Sequence, residues 1–116
     1  MIFLDTCILI EYAKGRIDID FSKNYFINSI VELEFKVGAL NKRELLKINK
    51  ILFQIKSVNI DQDILDLSVR LMDKYLLSHN MGVYDSIIAS TCLIYDLELW
   101  TLNKKDFRYI DELNLI

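Results

Sequence analysis

The chain has 116 residues, of which 53% are hydrophobic and 27% charged, with 3 Gly and no Pro. This composition excludes a disordered, collagen-like or linker-rich chain and fits a single domain over residues 1–116 that can bury a core without metal or disulfide staples. Its net charge of −3, from 14 bases and 17 acids, argues against a nucleic-acid binder when taken alone. Committing four acids to a metal would leave 13 against 14 bases, so net charge does not decide the question.

Ile2–Leu4 is a short apolar run ending at Asp5, the pattern of a strand buried on both faces. Thr6–Lys14 carries helical apolar spacing, with Gly15 as its stop. The aromatic-rich Phe21–Ile27 predicts a second strand ending near Ile27. Ser29 is placed to cap a helix running to about Ala39, and Asn41 to cap one over Lys42–Phe53. Ser57–Ile60 is a weak strand. Asp61 opens a helix with Ile64, Leu67, Leu71 and Tyr75 on one face, and Ser78–Gly82 reads as a turn. Val83–Tyr95 predicts a buried helix, Leu97–Thr101 a fourth strand and Leu113–Ile116 a fifth. Strands alternating with helices imply a parallel sheet covered on both faces, with ligands at the carboxyl ends of the strands.

With one histidine (His79) and two cysteines (Cys7, Cys92), a Cys-rich zinc site and a two-histidine motif are both excluded. Any metal must therefore rest mainly on carboxylates. No uncharged stretch exceeds the ten residues of Tyr75–Tyr84 or Ser86–Tyr95, well short of the roughly 20 of a membrane span. No basic segment precedes the apolar start, so the expectation is a cytoplasmic chain with free thiols and no membrane partner.

Four acids and an amide stand out. Asp5 directly follows the first strand, where a plain helix cap competes with a functional role. Glu34 falls on the same helical face as Ile30, Leu33 and Val37, so a carboxylate interrupts an apolar stripe and needs a cation, donors or a metal. Glu32 points away and reads as a solvated partner of Lys36. Asp85 opens the buried helix, where it also suits the helix dipole. Asn103 and Asp106 follow the fourth strand beside Lys104 and Lys105. Acids brought from distant parts of the chain to one sheet edge repel unless a dication or shared proton neutralises them. All-oxygen ligands favour Mg²⁺ or Mn²⁺, and metal-activated water acting on a phosphodiester is the matching chemistry.

Ile2-Phe3-Leu4-Asp5-Thr6-Cys7, Asn28-Ser29-Ile30-Val31-Glu32-Leu33-Glu34 with Gly38, Tyr84-Asp85-Ser86 and Thr101-Leu102-Asn103-Lys104-Lys105-Asp106 stand in the order of the four motifs of PIN-domain nucleases. The chain resembles that family, in particular its VapC-type toxins. It departs at Cys7, where Asn is usual, at Asn28, where Ser is common, and at Val31, where Thr is common. The resemblance implies a three-layer α/β/α sandwich with a mostly parallel, about five-stranded sheet. It also implies an endoribonuclease dependent on Mg²⁺ or Mn²⁺, an antitoxin partner and homodimerisation. On this reading Asp5, Glu34, Asp85, Asn103 and Asp106 surround the ion, and the four acids carry catalysis. Thr6 and Thr101 orient the carboxylates, while Lys14, Arg16, Lys104 and Lys105 face the RNA backbone.

Other readings predict different behaviour. A binding module with the same fold would engage its partner without metal affinity. A receiver or haloacid dehalogenase domain needs further acids near Asp5, and the position two residues on is Cys7. A redox pair lacks a C-x-x-C motif. Surplus aromatic surface at Tyr12, Phe21, Tyr25 and Phe26 is a candidate docking face if the core does not absorb it.

Overall fold

The computed structural model describes residues 1–116. Four parallel strands, β1 (Ile2–Leu4), β2 (Tyr25–Ile27), β3 (Lys56–Ser57) and β4 (Glu98–Trp100), form one sheet in the order β3-β2-β1-β4. Five helices connect them: α1 (Thr6–Ala13), α2 (Ser29–Val37), α3 (Lys42–Phe53), α4 (Gln62–His79) and α5 (Val83–Tyr95). Phe3 and Leu4 point to opposite sheet faces, and both are fully buried, so helices cover the two sides. This is the expected three-layer α/β/α arrangement.

The sheet has four strands rather than five. The C-terminal segment reaches it only through an isolated parallel bridge between Leu99 and Leu115. Strand β2 is shorter than the aromatic pattern suggested, and β3 occupies Lys56–Ser57, just ahead of the predicted segment. Helix α4 runs through His79 and stops at Asn80, whose left-handed backbone (φ 53) ends it, so the turn begins two residues later than expected.

Strand order reverses at β1. The chain first builds outward through β2 and β3, then returns to place β4 on the other flank of β1. Such a reversal leaves a crevice beyond the carboxyl ends of the two strands that flank it. Leu4 pairs with Trp100, and the Asp5 amide donates to the Trp100 carbonyl at 3.0 Å, so Asp5 and Thr101 leave the sheet side by side at that edge.

Asn28, rather than Ser29, caps α2. Its side-chain oxygen accepts from the Val31 amide at 3.1 Å, and its amide nitrogen donates to Thr91 Oγ1 on α5 at 3.0 Å. Asn28 is completely buried, so one side chain both starts α2 and pins it to α5. Between α4 and α5, the buried Ser68 hydroxyl lies 3.0 Å from Ser90 Oγ and 2.9 Å from the Ile64 carbonyl. Tyr12 and Phe21 pack edge to face at 5.3 Å and Tyr25 is buried, so the surplus aromatics go largely into packing. The most exposed apolar residues lie elsewhere, at Val37, Leu40, Phe53 and Leu77.

Replacing Asn28 with Ala should remove a cap and leave Thr91 without its donor, at a loss of about 2 kcal/mol. Thermal melting is expected to fall by about 8 °C. Asn28→Ser should fall less, because a hydroxyl still caps α2.

Candidate metal centre

Asp5 serves as cap and as site residue at once. Its Oδ1 accepts from the Thr6 amide at 2.8 Å, and its Oδ2 accepts from the Thr101 hydroxyl at 2.7 Å. The Asn103 amide donates in turn to Thr101 Oγ1 at 3.0 Å, which fixes that hydroxyl's direction. Thr6 also reaches the other way, its hydroxyl donating to Glu34 Oε1 at 2.8 Å. One residue therefore bridges two acids, by its amide to Asp5 and by its hydroxyl to Glu34.

Glu34 reaches the edge by a different helical register from the one its apolar neighbours suggested. The buried face of α2 is Val31 and Phe35, whereas Leu33 is 61% and Val37 84% exposed. Glu34 flanks the buried face and turns toward the start of α1. The apolar residues beside it, with Ile30, line a small cleft of about 90 Å³ under Tyr84. Glu32 makes no ion pair with Lys36; its carboxylate accepts a long bond of 3.5 Å from Ser57 on β3.

Asp85 stands in the first turn of α5. Burial, then the charges of Asp5, Asp106 and Glu34, push its carboxyl from 3.8 up to about 6. Three other acids thus act on one carboxylate, and neither of the molecule's two ion pairs involves any of the four. Glu34 and Asp85 face an open cleft of about 510 Å³ with Gly82, Val83 and Tyr84, while Asp5 lies behind, 6% exposed. The acids share an edge but stay spread: no three acidic, His or Cys side chains enclose a single point. The donor set is all carboxylate and uncompensated, and it fits a hard dication better than zinc.

The remaining predicted residues divide into two groups. Asp106 ends a 3₁₀ turn, Lys104–Asp106, that follows β4, so Lys104 and Lys105 are exposed near the same edge. Asn103 is exposed, and its side chain caps nothing. Lys14 caps the far end of α1, about 13 Å along the helix axis from Asp5, and Arg16 follows beyond Gly15. There Arg16 pairs with Glu11 at 3.4 Å, so these two are not brought to the acids. Cys7 keeps a bonding role beside Asp5: its thiol donates to Asp5 Oδ2 at 3.5 Å and accepts from the Leu102 amide at 3.4 Å. Burial above all, with the Asp5 charge adding, raises its pKa and keeps it a thiol. Both cysteines are free.

Sequence reasoning overlooked Asn28 as the link between α2 and α5. It also overlooked Tyr109, which stacks on His79 with ring centroids 4.1 Å apart. Burial and then the charges of Asp85 and Asp106 raise the Tyr109 phenol, which places that ring near the acids. The available signal was position, since Tyr109 follows Asp106 by three residues and His79 precedes Asp85 by six.

The profile of the PIN domain family matches residues 2–113. A protein named Ribonuclease VapC from Rickettsia bellii is 30% identical, over 99% of this chain and 94% of its own. One named Ribonuclease VapC1 from Methanocaldococcus jannaschii is 33% identical, over 98% and 84% respectively. A toxin–antitoxin complex from Klebsiella pneumoniae contains a chain that superposes with a TM-score of 0.79 at 28% identity, covering 100% of this chain and 96% of that one.

The raised Asp85 value carries a sign. The folded protein holds this proton more tightly than the unfolded chain does, which favours folding below about pH 4. That contribution is lost as pH rises through about 6, and at neutral pH the ionised group opposes folding. Each unit is worth about 1.4 kcal/mol, but solvent reaches Asp85, leaving about 1 kcal/mol. Asp85→Asn in chelator at pH 7.5 should therefore melt about 4 °C higher than wild type, with the gain vanishing near pH 4.

Proposed function

The chain belongs to the PIN-domain family, and from that premise we propose that it is an endoribonuclease dependent on Mg²⁺ or Mn²⁺, the toxin of a toxin–antitoxin pair. The observation carrying this reading is the raised Asp85 carboxyl, which burial and then the charges of Asp5, Asp106 and Glu34 push up while none of these acids forms an ion pair. The names of the relatives point to the same activity.

Asp5, Glu34 and Asp85 would hold the ion, directly or through water, with Asp106 and Asn103 closing the far side. A bound dication would supply a water that ionises readily to attack phosphorus and a positive charge to offset the negative charge developing on the phosphate. Thr6 engages Oδ1 of Asp5 and Oε1 of Glu34, which fixes both carboxylates and leaves Oε2 of Glu34 unbonded. Thr101 engages the second oxygen of Asp5. Such supporting bonds commonly change metal affinity 10- to 100-fold. Lys104 and Lys105 lie where the RNA backbone would pass and attract it by charge. On this reading Asp106 completes the ligand sphere or positions the attacking water.

The exposed Val37 and Leu40, beside a groove formed by Ile10, Ala13, Phe35 and Ile48, suit an apolar antitoxin segment. Phe53 and Leu77, more than nine-tenths exposed, are candidates for a contact between two copies of the chain. No helix is long and apolar enough to cross a membrane. On the ribonuclease reading the protein acts in the cytoplasm, where its RNA substrate lies.

RNA cleavage should require Mg²⁺ or Mn²⁺ and stop with chelator. Asp5→Asn and Glu34→Gln should each lower it by more than about a hundredfold, whereas Glu32→Gln should leave it nearly unchanged. Full cleavage by both site variants rejects the assignment. By calorimetry, Thr6→Val should weaken Mn²⁺ binding about tenfold, with Thr6→Ser recovering most of it. A protein that binds a partner and takes up no Mn²⁺ is the catalytically silent module instead.

A further inference from the structure

Helix α4 ends and helix α5 begins at the sheet edge that carries the acids, joined only by Asn80–Gly82. His79, the last residue of α4, lies on the Tyr109 ring at an interplanar angle of 14°. Tyr75 meets both rings edge-on, at 5.0 Å from Tyr109 and 5.8 Å from His79. The group is braced on two sides. His79 Nδ1 is 2.8 Å from the Ser78 hydroxyl, and the Tyr75 hydroxyl accepts from the Asp111 amide at 3.3 Å. Lys74 adds a 2.8 Å bond to Asp111 and sits 5.2 Å from the Tyr75 ring centre.

Tyr109 is partly covered by this stack, yet His79 at its end is exposed. One face of the imidazole rests on Tyr109, and the residue as a whole is exposed to solvent. A flat ring already held in place needs little ordering when a second flat ring settles on it. The loop that delivers Tyr109 also carries Lys104, Lys105 and Asp106. Exposed cations and an aromatic face beside an acid cleft are the elements with which proteins grip a single strand, the cations taking phosphates and the ring an unstacked base.

We propose that the His79–Tyr109 stack is a nucleobase platform that holds an unpaired base of the RNA next to the bond to be cut. The proposal rests on the ribonuclease reading and adds to it the two rings that hold a base, which only an unstacked base can reach.

The test uses a single-stranded oligoribonucleotide containing 2-aminopurine, whose emission is quenched by aromatic stacking. It is titrated into full-length Asp5→Asn protein, with and without changes at His79. The Asp5→Asn chain should quench the probe. Adding His79→Ala should abolish the quench and weaken binding about tenfold, and His79→Trp in its place should restore both. With Asp5 intact, His79→Ala should raise KM for single-stranded RNA about tenfold and leave kcat nearly unchanged. Unaltered quenching, affinity and KM in His79→Ala, from a wild type that cleaves RNA, overturns the platform alone. A wild type that cleaves no RNA with either metal overturns the platform and the ribonuclease reading together.

Discussion

Like charges held together against their repulsion govern this molecule. Asp5, Glu34, Asp85 and Asp106 come from four separate segments, and the fold directs all four to one edge. None is offset by a neighbouring lysine or arginine. Two threonines hold the inner part of the cluster. Thr6 binds Asp5 with its backbone and Glu34 with its side chain, and Thr101 closes on Asp5 from the far strand. Each bond satisfies one carboxylate oxygen without supplying positive charge, so the acids are oriented but not neutralised. Burial above all, with the charges of Asp5, Asp106 and Glu34 adding, holds the Asp85 carboxyl above the usual carboxylate range.

The scaffold supporting this tension relies on small polar contacts rather than bulk. Asn28 ties the helix bearing Glu34 to the helix bearing Asp85 through a single amide–hydroxyl bond to Thr91. Ser68 and Ser90 join the two longest helices, where short side chains let the backbones approach. Buried bonds of this kind are costly when half-satisfied, and here every buried side-chain nitrogen and oxygen has a partner. The Cys7 thiol fits the same plan. It is a weaker group than an amide, but it still links Asp5 to the Leu102 backbone and so connects the ends of β1 and β4.

Most of the architecture was legible in the chain because local signals agreed. Asn41 and Asp61 cap the predicted helices, Gly15 takes the positive φ that follows α1, and β1 is buried on both faces. Legibility failed where tertiary packing overrode periodicity. The stripe through Leu33 and Val37 is apolar yet mostly exposed, because α2 turns Val31 and Phe35 to the core. Glu34 does not lie on the face its apolar neighbours suggest: it flanks the buried side of α2 and accepts from the Thr6 hydroxyl. Leu113–Ile116 has strand character but makes only one bridge. Lys14 and Arg16 follow Asp5 closely in the chain, yet a straight helix carries them away from it. For His79 and Tyr109 the chain offers only their nearness to Asp85 and Asp106 in sequence, since the contact itself joins the loop after β4 to the end of α4.

Placing β4 against β1 has a temporal side. The bond from Thr101 to Asp5 joins positions 96 apart, and the register of β1 with β4 brackets nearly the whole intervening chain. Contacts of such range form late in folding, after local helices and the near pairing of β1 with β2. A ribosome partway through this message therefore holds a chain whose α1 and α2 can fold while the edge that gathers the acids is still missing its second wall. Any activity that depends on that edge is withheld until β4 has been made and has docked.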